Sequence, residues 1–206
     1  MFLEKIAAGV FGVNCYVISD DETGKAAVVD PGGDADKILE LIKDNQFELT
    51  HILLTHGHGD HIGAVNELHE KTKAPVYVHE DDLYILKDAN INYSARMGGP
   101  VVTIDTDVFL KDGEVLTIGN LKLHVLHTPG HSPGGVCIRG EGVVFTGDTL
   151  FANSIGRSDL EGGNYDQLIA SIQSKLMTLD DELTVLPGHG PASTIGIERM
   201  TNPYIK

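Results

Sequence analysis

The segment THGHGDH, Thr55 to His61, decides how the rest of the chain is read. It follows the continuous apolar run HILLT at 51–55 and precedes Ile62, Val65 and Leu68, which recur at helical spacing. It is therefore a loop that joins a buried strand to an amphipathic helix. In extended backbone alternate side chains point to one side, so the rings of His56 and His58 can share a cation, while Asp60 and His61 come as the chain turns into the helix. Taken singly, His56 and His58 are solvent-facing loop residues, Asp60 a helix N-cap and His61 a polar first-turn residue. Together, three histidines and a carboxylate in six residues, interleaved with Gly57 and Gly59, are better explained as metal ligands.

Three more segments place a ligand-type residue in a glycine-flanked turn just after a strand: TPGHSPGG at 128–135, FTGDTLF at 145–151 and LPGHG at 186–190. They contribute His131, Asp148 and His189. Each alone is an ordinary turn residue, and their common placement is what adds them to the site. His51, His69, His79, His124 and His127 lie within or beside regular elements and are assigned structural roles.

Working outward, VNCYVIS at 13–19 and KAAVVD at 25–30 flank the turn DDETG and read as a β-hairpin. Asp34 is a plausible N-cap for a helix carrying Ile38, Leu41 and Ile42. PVYVH at 75–79 is a strand, and a short helix covers Leu83 to Lys87. Four consecutive strands follow, EVLTI, LKLHVLH, GVCIR and GVVFTGD, which implies a largely antiparallel sheet. Tyr165, Leu168, Ile169, Ile172 and Leu176 mark a helix, and LTVLPGHG at 183–190 a last strand. Two sheets packed together with helices outside would bury these faces. Residues 89–107 show no clear pattern; they either shape a pocket or cover the core.

At 206 residues, 1–206 is expected to form a single domain. The formal charge of −15 disfavours a nucleic-acid partner, and no apolar run approaches the roughly 18 residues of a membrane span. A soluble, cytoplasmic protein is expected, with a small molecule as its partner. Cys15 and Cys137 sit inside apolar runs, which predicts buried, inert thiols in place of a disulfide or a thiolate metal cage.

THGHGDH, with its full HxHxDH form, and then TPGHSPGG, FTGDTLF and LPGHG stand in the order found in the metallo-β-lactamase superfamily, which the chain resembles over nearly its whole length. The resemblance implies an α/β fold of four layers, an αββα sandwich with the site at one edge of the paired sheets. It also implies that His56, His58 and His131 bind one metal, that Asp60, His61 and His189 bind the other, and that Asp148 bridges them. Two divalent cations about 3.5 to 4 Å apart hold a bridging water or hydroxide as nucleophile. By this assignment Asp60 and Asp148 are catalytic. Histidine and carboxylate ligands suit zinc, and imidazole also binds iron.

GDTLFANSIGRSDLEGG at 147–163 is especially similar to the glyoxalase II-type hydroxyacylglutathione hydrolases, which cleave thioesters. By analogy Ser154, Arg157 and Ser158 face the substrate, with Arg157 either pairing with a substrate carboxylate or closing a structural salt bridge. Longer enzymes of that group carry a C-terminal helical domain for glutathione, so another thiol carrier is an open alternative here. The rival readings on the same fold are a mononuclear-iron persulfide dioxygenase, a phosphodiesterase or nuclease, and a lactonase. True β-lactamases typically have arginine or cysteine where His61 and Asp148 stand, which disfavours lactam hydrolysis. A purely structural metal site would be four-coordinate and often thiolate-rich, unlike seven ligands without cysteine.

Overall fold

The computed structural model describes residues 1–205. The first sheet has the spatial order β1 (Phe2–Ala8), β2 (Val13–Ser19), β3 (Lys25–Val29), β4 (Glu48–Leu53), β5 (Val76–His79) and β6 (Val108–Leu110). The first three strands are antiparallel, and from β3 to β6 every pair is parallel. Parallel neighbours need crossovers. These are supplied by α1 (Ala35–Asp44), by α2 (Gly59–Ile62) with α3 (Val65–Thr72), and by α4 (Leu83–Lys87).

The second sheet is built from β7 (Val115–Ile118), β8 (Leu121–His127), β9 (Val136–Arg139) and β10 (Val143–Gly147). These four are antiparallel, as their spacing predicts. After the small hairpin β11 (Leu150–Phe151) and β12 (Ser154–Ile155), helix α5 (Tyr165–Ser171) leads to β13 (Thr184–Pro187), which runs parallel to β10. Strand β14 (Ser193–Thr194) pairs with β13 at the edge, and α6 (Ile195–Thr201) follows.

Strand β2 is buried along its entire length, and alternate residues serve different cores. Val17 packs outward with Ile38 of α1 and Leu68 of α3, whereas Ile18 packs inward with Leu53 of its own sheet and with Val125 and Phe145 of the facing sheet. On the far side Val144 and Cys137 pack against Leu168 and Ile172. Helix, sheet, sheet and helix therefore form the αββα sandwich. Both faces of the central strands are covered, which is why they read as continuous apolar runs.

Several short elements differ from expectation. Strand β1 carries Glu4 and Lys5 on exposed positions, the charge pattern of an edge strand that blunts aggregation and hides the strand signal. The helix expected from Ile62 to Leu68 is broken at Gly63–Ala64, where Ala64 N donates to Pro31 O at 2.9 Å. Asp34 occupies the N-cap position but with a left-handed φ of 54°. Its carboxylate accepts from Gly9 N at 2.8 Å and pairs with Lys37, so it caps nothing. The helix of Tyr165 to Leu176 closes in a π-helical turn, Ile172–Leu176.

Residues 89–107 do both things the sequence left open. Val102 and Ile104 are buried in the first core, tied by Asn92 Nδ2 donating to Val102 O and Val102 N donating to Ser94 Oγ, at 2.9 and 3.0 Å. Tyr93 and Met97, between those ties, line the cleft described below. Among the described residues no helix is long and apolar enough to cross a membrane.

Phe145 is fully buried between the sheets, its ring centroid 5.2 Å from that of Tyr16. Phe145→Ala is expected to cost about 3–5 kcal/mol of unfolding free energy, read as a lowered urea midpoint with an unchanged m-value.

Candidate metal centre

Strands β3, β4, β10 and β13 all end at the same edge of the sandwich, and each is followed by a polar residue in a tight turn. Strand ends of this kind collect functional groups because the loops beyond them are free of ladder constraints. After β4 come His56, His58, Asp60 and His61, after β10 Asp148, and after β13 His189; the turn beyond β8 brings His131. All seven expected residues converge.

His56, His58 and His131 form one set. His58 Nδ1 lies 2.9 Å and His56 Nε2 3.3 Å from His131 Nε2. His131 Nδ1 donates to Arg157 O at 2.7 Å, which fixes the tautomer and leaves Nε2 as a lone pair facing inward. Thr55 Oγ1 donates to Asp30 Oδ2 at 2.6 Å and so accepts from His56 Nδ1 at 3.1 Å, leaving His56 Nε2 a lone pair as well. Inward lone pairs this close repel unless a cation or proton sits among them. The spacing is near the roughly 3.3 Å edge of a tetrahedron with metal–nitrogen bonds of about 2.0–2.1 Å.

Asp60, His61 and His189 form the second set. His189 Nε2 is 3.1 Å and His61 Nε2 3.8 Å from Asp60 Oδ2. Asp148 stands between the sets. Its Oδ1 lies 3.3 Å from His61 Nε2 and 3.9 Å from His189 Nε2, while its Oδ2 lies 3.7 Å from His131 Nε2. His58 Nε2, His61 Nε2 and Asp148 Oδ1 are buried without a hydrogen-bond partner, a cost that native structures seldom leave uncompensated. His61 Nε2 and Asp148 Oδ1 face each other across 3.3 Å, and together with the inward nitrogens of His56, His58 and His131 these donors, none of them a thiolate, fit divalent metal ions.

Two supporting residues escaped sequence reading. Asp30, at the end of β3 with φ 50°, accepts from Thr55 N at 2.8 Å, from Thr55 Oγ1 and, at 3.0 Å, from His61 Nδ1. It thereby orients residues of both sets, as carboxylates beside metal-binding histidines do. Its signal was present in VVDPGG, an acid at a strand end before a glycine-rich turn, the pattern of the other motifs. Asn14 lies within VNCYVIS, read as one arm of a β-hairpin. Its Nδ2 donates to Pro187 O and Gly190 O at 3.0 and 2.9 Å, holding the His189 turn against the first sheet. Gly188 in that turn has no room for a side chain, since a Cβ would lie 2.5 Å from Asp148 Oδ1 and 2.6 Å from His61 Cε1.

Of Ser154, Arg157 and Ser158, only Arg157 lines the cleft over the centre, a space of about 220 Å³ walled also by Phe11, Tyr93, Met97 and Leu160. Its guanidinium grips Asp159 through two bonds of 2.8 Å each, the structural salt bridge, and its carbonyl holds His131. Ser154 sits beside α6, its carbonyl accepting from Asn202 Nδ2 at 3.0 Å. The other histidines stand apart. His127 stacks on His79 at 3.9 Å and donates from Nε2 to Pro133 O, His51 stacks on Tyr77, and His69 bonds Ala74 O. Cys15 and Cys137 are buried and free, and burial pushes the Cys137 thiol up to about 11.

Electrostatics divide the two sets. Burial, together with the neighbouring imidazoles of His131 and His61, drives His58 down to about 3, and His56 is likewise held well below the ordinary histidine value. Burial acts the same way on His61, but Asp148, Asp60 and Asp30 overcome it and hold its pKa well above the usual range; the hydrogen bond to Asp60 raises His189. Protons therefore compete with metal at His61 and His189 as pH falls through their raised values, while His56 and His58 stay neutral. If each set holds a metal, acidification is expected to empty the Asp60 set at higher pH than the His58 set, giving two separated steps in metal content against pH. A single joint step would contradict this division.

A family profile described as the metallo-beta-lactamase superfamily matches residues 8–189. The chain is 42% identical to a probable metallo-hydrolase, YqgX, of Bacillus subtilis (98% of this chain, 96% of that one). It is 37% identical to hydroxyacylglutathione hydrolase GloC of Haemophilus influenzae (100% and 98%). Among solved structures it resembles BLEG-1 B3 metallo-beta-lactamase, with a TM-score of 0.93, 41% identity and full coverage of both chains. It also resembles TTHA1623 in a di-iron-bound form (0.85, 36%, 99% and 100%) and ETHE1 from Myxococcus xanthus (0.83, 30%, 98% and 84%). The profile spans most of the chain, the relatives are matched nearly end to end, and the motif residues meet at one sheet edge: the chain belongs to the metallo-β-lactamase superfamily.

Proposed function

We propose that this protein is a binuclear metal-dependent hydrolase that cleaves a small-molecule thioester, in the manner of the glyoxalase II group. The observation that carries the reading is Asp148, whose two carboxylate oxygens face two different sets of ligand-type residues. One set would be held by His56, His58 and His131, the other by Asp60, His61 and His189, with Asp148 shared between them. Zinc is the first choice, and the likeness to a di-iron-bound structure supports iron as the second. When bound, such ions supply Lewis acidity and a water acidic enough to attack a carbonyl at neutral pH.

The chain's own residues do the rest. Asp30 and Thr55 lock the His61 and His56 rings, and Arg157 O locks His131, so no reorganisation is needed when charge develops. Phe11, Tyr93, Met97 and Leu160 give the cleft an apolar wall against which a short acyl group can pack. Asp159 occupies Nε and Nη2 of Arg157, so a substrate carboxylate would pair with its remaining Nη1 face. The H. influenzae relative that bears the hydroxyacylglutathione hydrolase name is covered over 98% of its length, which supports this substrate class on a chain of this extent. The net charge of −15 supports a small molecule over nucleic acid. A cytoplasmic location and one domain over 1–206 belong to the same proposal.

The likeness to ETHE1 favours a second reading, the mononuclear-iron dioxygenase, and the likeness to BLEG-1 keeps lactam hydrolysis in the comparison. Hydrolysis of S-lactoylglutathione, with zinc and iron quantified, is expected and should be abolished by a chelator and restored by metal. Oxygen uptake with a persulfide on a single-iron sample would transfer the assignment to the dioxygenase, and nitrocefin turnover alone to the lactamase. Asp148→Asn is expected to lower kcat/KM at least about a hundredfold while shifting unfolding free energy by less than about 2 kcal/mol. Activity equal to wild type would remove the bridging role.

A further inference from the structure

Asp82 is a completely buried carboxylate outside every motif of the sequence. It ends the 3-10 turn Glu80–Asp82 and stands at the N-cap position of α4, yet its side chain makes no capping bond there. The carboxylate turns instead toward two loops. Oδ2 accepts from Gly57 N and from Ser132 Oγ, both at 2.8 Å, and Oδ1 accepts from Gly134 N at 2.6 Å. Gly57 lies between His56 and His58, and Ser132 directly follows His131.

One acid thus joins the backbone beside all three residues of the first set and touches none of Asp60, His61 or His189. Those are held from elsewhere, His61 by Asp30 and the His189 turn by Asn14. The loops that Asp82 joins are 75 residues apart at His56 and His131, and their facing nitrogens are 3.3 Å apart. Beneath the turns Val136 N donates to Thr55 O at 2.8 Å, and Asp82 adds the side-chain tie between the turns themselves. The fit around the carboxylate is close as well, because a Cβ on Gly134 would lie 2.7 Å from Asp82 Oδ1.

We propose that Asp82 is a positioning residue that sets the spacing of His56 and His58 against His131, and thereby selectively tunes metal affinity at that one set. The inference rests on the two-set reading of the centre. Asparagine at 82 keeps the volume but turns an amide NH₂ toward donors, so at least one of the three bonds is lost. Groups that orient metal-binding histidines typically carry tenfold to hundredfold in affinity.

The test is zinc titration of the apo-protein against a competing chelator for wild type, Asp82→Asn and Ser132→Ala. In Asp82→Asn one class of zinc is expected to weaken tenfold to a hundredfold, with the other unchanged within about twofold. Ser132→Ala, which removes one bond of the three, should shift the same class by less, and its milder lesion keeps the test open if Asp82→Asn fails to fold. Activity of Asp82→Asn should return toward wild type as free zinc is raised. Equal weakening of both classes, or unchanged affinities beside a lowered melting temperature, would overturn the proposal and leave Asp82 a purely structural acid. If wild type binds one equivalent only, the binuclear reading fails by itself. That single class then decides the inference: weakening in both variants upholds it, and wild-type affinity overturns it.

Discussion

Seven side chains bearing lone pairs or negative charge are forced into one largely buried volume, and the rest of the structure is organised around tolerating that. Imidazole nitrogens 2.9 and 3.3 Å apart and a carboxylate shared between two histidine sets would push one another apart in water. Here they are held from behind. Each ring whose tautomer is fixed is fixed by a group outside the centre: Thr55 for His56, Asp30 for His61, and the Arg157 carbonyl for His131. Burial lowers both His58 and His61; at His58 the neighbouring imidazoles add to it, and at His61 the carboxylates of Asp148, Asp60 and Asp30 overcome it.

Holding such a centre requires rigid elements on several sides, and the sandwich provides them by bringing strand ends from both sheets to one edge. Asn14 and Tyr16 of β2 reach across to Pro187 of β13, stitching the sheets together just beside the His189 turn. The inter-sheet core of Ile18, Leu53, Val125 and Phe145 fixes the distance between the two halves of the site. Packing in that core therefore bears directly on the chemistry, since a change in sheet separation would move His189 relative to Asp60.

The wall above this edge is built separately from the edge itself. Residues 89–107 illustrate this division, with Val102 and Ile104 anchored in the core while Tyr93 and Met97 project over the cleft. Loops anchored in this way can change their exposed residues without disturbing the strands beneath. Membership of the superfamily accordingly fixes the fold more firmly than the substrate.

Much was legible in the order of residues because the signals are local. HxHxDH at a strand–helix junction, and His131, Asp148 and His189 in glycine-flanked turns, need only a few neighbours to be recognised; so do the apolar runs that became the central strands. Strand β1 was hidden by its edge charges and α6 by its short length. Asp30 had a local signal in VVDPGG, whereas Asn14 and Asp82 were hidden for a different reason: each acts on partners between 25 and 176 residues away, and a lone acid or amide has no period to betray it. The sequence by itself determined the ligand types, the alternation of strand and helix and the family. Tertiary structure alone decided which residues stand behind the ligands and the distances within the two sets that the resemblance implies, because contacts such as His189 to Asp60 across 129 residues exist only once both sheets have packed.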